Sequence, residues 1–137
     1  RTGPDLARVG GRYSDEWHRE HLKDPQSVVP SSVMPGYKHL MRPLSVPNIA
    51  SHLKANVVVG VPYTEEQIEK SAEDLVAQAN PDADGAEDVL ARYPKAQVRD
   101  FDGDPKTLTE MDALIAYLQM LGTLVDFSTY DAKANFR

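Results

Sequence analysis

The 137-residue chain has no cysteine. That excludes disulfides, thiolate metal sites, thiol nucleophiles and covalent haem attachment through Cys-x-x-Cys-His within these residues. Long apolar runs are also missing. The longest, Val57 to Val61 with Gly60 inside it, falls far short of the ~20 apolar residues a membrane-spanning helix needs. Positive charge is scarce: 15 Lys and Arg stand against 21 Asp and Glu, for a net charge of −6. A phosphate-backbone binder relies on clustered Lys and Arg, so nucleic acid is not an expected partner. There is no Gly-x-Ser-x-Gly elbow, no glycine-rich phosphate loop and no His-Glu-x-x-His, which leaves an ordinary hydrolase reading without support. The chain opens Arg1-Thr2-Gly3-Pro4-Asp5, with neither an initiator Met nor a signal-like segment, as expected of a piece of a longer protein.

What remains is one domain's worth of chain, 41% hydrophobic, able to bury a modest core. Its charge is uneven. Residues 1–60 hold 8 basic and 5 acidic side chains, whereas 61–137 hold 7 and 16. An acidic surface of this kind either serves solubility or steers the approach of a basic protein.

Periodicity and capping signals predict a mainly α fold with long ordered loops. Ser14 followed by Asp15 and Glu16 predicts a helix over 15–23, closed by Pro25, with Trp17, His21 and Leu22 facing inward. Residues 25–47 hold five prolines, enough to forbid a long helix, yet they also carry Val28, Val29, Val33, Met34, Tyr37, Leu40 and Met41, too apolar for a disordered tether. Ile49, Leu53 and Val57 predict a helix ending near Gly60. Thr64 with Gln67 reads as a capping box for a helix over 65–79, with Ile68, Ala72, Leu75, Val76 and Ala79 on one face. Asp84 with Glu87 predicts a shorter helix to Tyr93. Residues 95–106 read as irregular. A last helix is expected from Glu110 to Leu121, capped by Thr107 or Thr109 and stopped by Gly122, with a stripe of Met111, Leu114, Ile115, Leu118 and Leu121.

Three groups of residues bear on chemistry. His18 and His21 are spaced to share a metal, but two ligands do not make a site, and one packed with one solvent-facing histidine is the favoured reading. Asp100, Asp102 and Asp104 around Gly103 superficially match a calcium loop, but a bidentate Glu is absent at the twelfth position, where Met111 stands; an acidic turn is the favoured reading. The segment Ser32-Val33-Met34-Pro35-Gly36-Tyr37 sets a methionine in a proline-flanked extended loop, where a rigid backbone fixes its thioether. A soft sulfur ligand to haem iron requires such a placement, and packing of a loop Met is the competing reading.

Taken together, Thr2-Gly3-Pro4-Asp5-Leu6, Gly10-Gly11-Arg12-Tyr13-Ser14 with Trp17, Asp24-Pro25 with Val29-Pro30, Ser32 to Tyr37, Gly60-Val61-Pro62-Tyr63-Thr64 and Ala113 to Leu118 resemble a class I c-type cytochrome. They closely resemble the monohaem subunit II of cbb3-type cytochrome c oxidases, over essentially the whole chain. The Gly-Val-Pro-Tyr-Thr element points to that subunit rather than to cytochromes c in general.

The resemblance implies a single periplasmic cytochrome c-like domain over 1–137, partial at its N-terminus, with residues 38–108 as an inserted loop and helical region. It implies Met34 as the distal haem ligand and therefore a metal ligand. Pro4 would pack on the proximal side, its backbone oxygen orienting the ligating histidine, and Arg12, Tyr13 and Trp17 would stand near the propionates. Leu6 and Pro35 complete the implied haem-binding set. The family carries a membrane anchor and then Cys-x-x-Cys-His upstream of the Thr-Gly-Pro segment. This chain starts after that point, and none of His18, His21, His39 or His52 matches the proximal position. The resemblance therefore implies a C-terminal fragment of a subunit that carries haem c. Its implied task is to relay electrons from a soluble cytochrome c donor to the oxygen-reducing subunit, with the catalytic and dihaem subunits as partners. The implied location is the periplasmic side of the bacterial inner membrane, with the anchor in the missing segment. The fragment alone is not expected to be active. A haem-free interaction or assembly module docking on a membrane complex is the alternative from another class.

Overall fold

A computed structural model describes residues 3, 5–45 and 47–124. Seven α-helices appear in order among them: α1 (Asp15–Lys23), α2 (Pro25–Val28), α3 (Ile49–Val58), α4 (Glu65–Glu69), α5 (Ser71–Gln78), α6 (Ala86–Arg92) and α7 (Glu110–Met120), with a 3-10 turn at Lys38–Met41 between α2 and α3. No strand occurs among the described residues, and one isolated bridge joins Pro43 to Thr109. The mainly α expectation is met. No helix among the described residues is long and apolar enough to cross a membrane.

The Ser14 hydroxyl accepts from the Trp17 N–H at 3.1 Å and opens α1 as expected. The inward face differs from expectation. His18 and Leu22, one turn apart, are buried, while Trp17 and His21 occupy the neighbouring stripe and are half-buried. Both stripes repeat at i, i+4, so the spacing alone does not choose between them. Pro25 ends α1 but also begins α2, since a proline is tolerated in the first turn of a helix.

The core forms where α1 meets α7. Val9, Leu22, Phe101, Met111, Ile115 and Leu118 are buried together, and Met34, Tyr37, Leu40, Leu114, Ala116 and Leu121 pack on them. Met111 and Ile115 are fully buried; each such side chain contributes about 1.5–3 kcal/mol of hydrophobic free energy. The capping box of α7 is Thr109 with Asp112, so of the two candidate caps Thr109 is the one used. Gly122 ends the helix at φ 81°, a left-handed conformation that favours glycine.

The expected helix over 65–79 is two helices, broken at Lys70. Its expected inner face is also rotated. Ser71, Asp74, Ala77 and Ala79 are buried, and Val76 is 55% exposed. The polar residue sets this rotation: the Asp74 carboxylate pairs with the Arg92 guanidinium of α6, whose Nε donates to it at 3.0 Å, and this contact fixes α5 against α6. α6 starts after Gly85, with no side-chain cap, rather than at Asp84. α3 has no fully buried residue; Ile49 and Leu53 are half-buried, and Val57 and Val58 are exposed.

Candidate functional site

Met34 lies on a segment fastened to the C-terminal end of α1. Its N–H donates to the Ser32 hydroxyl at 3.2 Å, the Ser32 N–H to the Val29 carbonyl at 2.8 Å, and the Tyr37 N–H to the Leu22 carbonyl at 2.7 Å. The Gln26 side-chain amide adds a bond to the Ser32 carbonyl at 3.2 Å. Prolines at 30 and 35 stiffen the chain on both sides. The result is a half-buried methionine packed against the core, on an irregular segment held by four hydrogen bonds. Val33 beside it is 90% exposed, and Pro35 is exposed.

A column of rings runs along α1, from the turn before it to its last turn. Tyr13 and Trp17 stack with centroids 4.1 Å apart and planes 17° apart; Trp17 and His21 stack at 4.5 Å and 11°. His18 meets Tyr13 and Trp17 edge-on. Arg12, exposed, sits in the turn closed by its N–H on the Val9 carbonyl at 3.0 Å. Leu6 is 50% exposed. Tyr13 and Trp17 are thus brought into contact, with Arg12 next to them in the turn, while Met34 stands at the far end of a nine-residue helix that is roughly 13 Å long. Pro4 lies outside the described residues.

The two histidines are placed differently, one buried and one half-buried. His18 is turned into the core, where burial pushes its pKa down, with Asp15 opposing the shift and His21 adding to it; its Nε2 has no hydrogen-bond partner. His21 joins the ring column, and burial lowers its pKa too.

Among the acidic residues, Asp100, Asp102 and Asp112 come close enough to share an ion, and Asp104 does not belong to the group. Their oxygens are already engaged. Asp100 accepts from the Gly103 N–H at 2.7 Å, Asp102 from the Asp104 N–H at 2.9 Å and the Thr109 hydroxyl at 2.7 Å, and Asp112 from the N–H groups of Asp102 and Thr109 at 3.0 and 2.9 Å. Burial raises the Asp112 pKa, against the pull of the Thr109 hydrogen bond. These bonds organise the turn before α7, in which Asp112 takes the place beside Asp100 and Asp102 that the sequence reading gave to Asp104.

A groove of about 880 Å³ lies elsewhere, between α3 to α6 and α7, lined by Leu53, Tyr63, Leu75, Tyr93, Tyr117 and Met120 among others. None of Leu6, Arg12, Tyr13, Trp17, Met34 or Pro35 reaches it.

Sequence reasoning missed Gln119. It lies one place off the apolar stripe of α7, is buried, and bonds across to the turn that carries Arg12 and Tyr13. A buried glutamine is not visible from helical periodicity. The available signal was the pair Gly10-Gly11, which lets another backbone approach closely.

Comparison with known proteins gives one family: the model described as "Cytochrome C oxidase, mono-heme subunit/FixO" matches residues 1–125. No curated protein gives a significant match to the chain.

Proposed function

Because the chain belongs to the mono-haem subunit family of cytochrome c oxidases, whose members are haem-containing electron-transfer subunits of cbb3-type complexes, we propose that residues 5–37 form the distal half of the haem site and that Met34 would supply a sulfur ligand to its iron. Haem c supplies a reversible one-electron Fe(III)/Fe(II) couple. The donor set fits such a group. A half-buried thioether on a hydrogen-bonded loop would supply a soft ligand, of the kind that favours reduced iron and raises its potential. No cysteine stands among these residues, so none of them forms a thioether bond to the haem.

The remaining roles follow from chemistry. Arg12 carries a permanent cation on an exposed turn, suited to a charge-assisted bond with a haem carboxylate. Tyr13 and Trp17 present a stacked aromatic surface beside it, and Leu6 and Pro35 add exposed apolar edges. Residues 38–108 are the insertion that distinguishes this domain from a minimal cytochrome c.

The other oxidase subunits are its partners, and the domain sits on the periplasmic side of the membrane. A basic soluble cytochrome c is its donor, steered by the acidic surface of α4 to α6. Between residues 61 and 90 there are nine acids and one base, and Glu65, Glu69, Asp82, Asp84, Glu87 and Asp88 are exposed. The observation that carries the proposal is the Met34 loop bonded to α1. It is tested in the haem-loaded, full-length subunit: Met34→Leu abolishes the methionine-to-iron charge-transfer band, and an unchanged spectrum removes Met34 from the iron.

A further inference from the structure

The turn before α1 and the C-terminal end of α7 interlock. The Gly10 N–H donates to the Leu121 carbonyl at 3.0 Å, and a Cβ on Gly10 would collide with the carbonyl oxygens of Gln119 and Leu121. In return, a Cβ on Gly122 would stand 2.7 Å from the Ala7 carbonyl oxygen. Inside this double approach lies Gln119, 3% exposed. Its Oε1 accepts from the Gly11 N–H at 2.9 Å. Its Nε2 donates to the Tyr13 carbonyl at 2.9 Å and to the Asp15 carboxylate at 2.6 Å. Asp15 in turn accepts from the Arg99 guanidinium at 3.1 Å, and Arg99 lies over the Phe101 ring, 5.2 Å from its centroid.

We infer that Gln119 and Asp15 are positioning residues for the haem: one amide side chain grips the backbone on both sides of Arg12, at Gly11 and Tyr13, and Asp15 anchors that amide to the first turn of α1. The inference rests on the reading that Arg12 and Tyr13 face the haem carboxylates. A surface arginine on a free turn would spread its charge over many positions. Here the two residues that flank Arg12 are tied to a buried group of α7, so its backbone is fixed relative to the core that also supports Met34. Holding a cation at a haem carboxylate lowers the carboxylate's pKa and keeps its negative charge from stabilising the oxidised iron. Loosening the turn therefore lowers the midpoint potential and moves the pH-dependent part of the potential toward neutrality.

The test uses the intact oxidase with this subunit haem-loaded. Gln119→Met keeps the side-chain volume and removes all three bonds. The expected result is full haem content and a retained methionine-to-iron band, with a lowered midpoint potential that begins to fall at higher pH than in the wild type. Gln119→Glu alone sets two carboxylates against each other and gives a larger loss. Combining it with Asp15→Asn removes the repulsion and restores the link to α1 but not the bond to the Tyr13 carbonyl, so the potential returns only part of the way to the wild-type value, a partial rescue that simple filling of space does not predict. Wild-type potential and pH profile in Gln119→Met overturn the inference. If Gln119→Met does not assemble, Asp15→Leu, which cannot accept from the Gln119 amide, is read instead: a smaller shift of the same sign supports the inference, and no shift overturns it. Arg12→Met separates the two claims. A shift there with none in Gln119→Met removes the clamp alone, whereas no shift in Arg12→Met removes the reading of Arg12 on which the clamp rests.

Discussion

The backbone N–H of Tyr37 donates to the carbonyl oxygen of Leu22 at 2.7 Å. Leu22 is buried in the core and its carbonyl belongs to the last turn of α1, where helix carbonyls lack intrahelical partners. The bond satisfies such a carbonyl and holds the Met34 loop to the helix in the same step. Gly36, just before Tyr37, makes the approach possible.

A Cβ at Gly36 would stand 2.7 Å from the Lys23 carbonyl oxygen, which is backbone and cannot turn aside. Gly36→Ala therefore pushes the loop off α1, at a cost of about 1–3 kcal/mol. Thermal unfolding checks the cost, and the fraction of haem showing the methionine-to-iron band checks the displacement; both fall in the variant.

The acidic surface gives a prediction about rate. Glu65 and Glu69 are exposed on α4, and exposed charges act through long-range steering that salt screens within about 10 Å at 0.1 M. Replacing both by Gln lowers the second-order rate of electron entry from a basic cytochrome c at low ionic strength and flattens its salt dependence, with little effect at high salt. Stopped-flow reduction across a salt series measures this, and an unaltered profile removes these residues from donor docking.

Thr109 caps α7 and also donates to the buried Asp102 carboxylate at 2.7 Å. Thr109→Ala loses the cap and leaves Asp102 short of a donor, so the expected loss is about 1–3 kcal/mol. Urea unfolding gives the number. A loss confined to a few tenths of a kcal/mol shows that the acidic turn does not depend on this hydroxyl.

His18 is buried with Nε2 unpartnered, and its folded pKa is lowered mainly by burial. The unfolded chain thus binds more protons below the ordinary histidine value of 6.5, so stability present above that pH is lost as pH falls through the lowered folded value. His18→Leu removes both the orphaned nitrogen and its share of the titration. The variant is more stable at neutral pH by on the order of 1 kcal/mol, and by more in acid. Urea midpoints at neutral and acidic pH decide it. Equal losses at both would mean that His18 makes a contact worth keeping.

Most of the helices were legible because capping signals are local: Ser14, Thr64 and Thr109 each sit where their hydroxyls cap a helix. The errors trace to polar residues that act over long range. Asp74 turned α5 toward Arg92 against the apolar pattern of Ala72 and Val76, and His18 rather than Trp17 took the inner face of α1. The Met34 loop was readable from its prolines, which restrict the backbone wherever they stand, together with the apolar residues between them. Gln119 was not readable, because its partners at Gly11, Tyr13 and Asp15 are over a hundred positions away.

The central claim, that the thioether of Met34 completes the coordination of the haem iron, is tested most directly by methionine replacement in the haem-loaded, full-length subunit. The described residues include four methionines, of which Met111 is fully buried and Met41 and Met120 are exposed at 37% and 39%. Met34→Leu is compared with Met41→Leu and Met120→Leu by near-infrared absorption and magnetic circular dichroism. The account predicts that the methionine-to-iron band disappears and the midpoint potential falls in Met34→Leu alone. A band that survives Met34→Leu, or disappears with Met41→Leu or Met120→Leu instead, contradicts it.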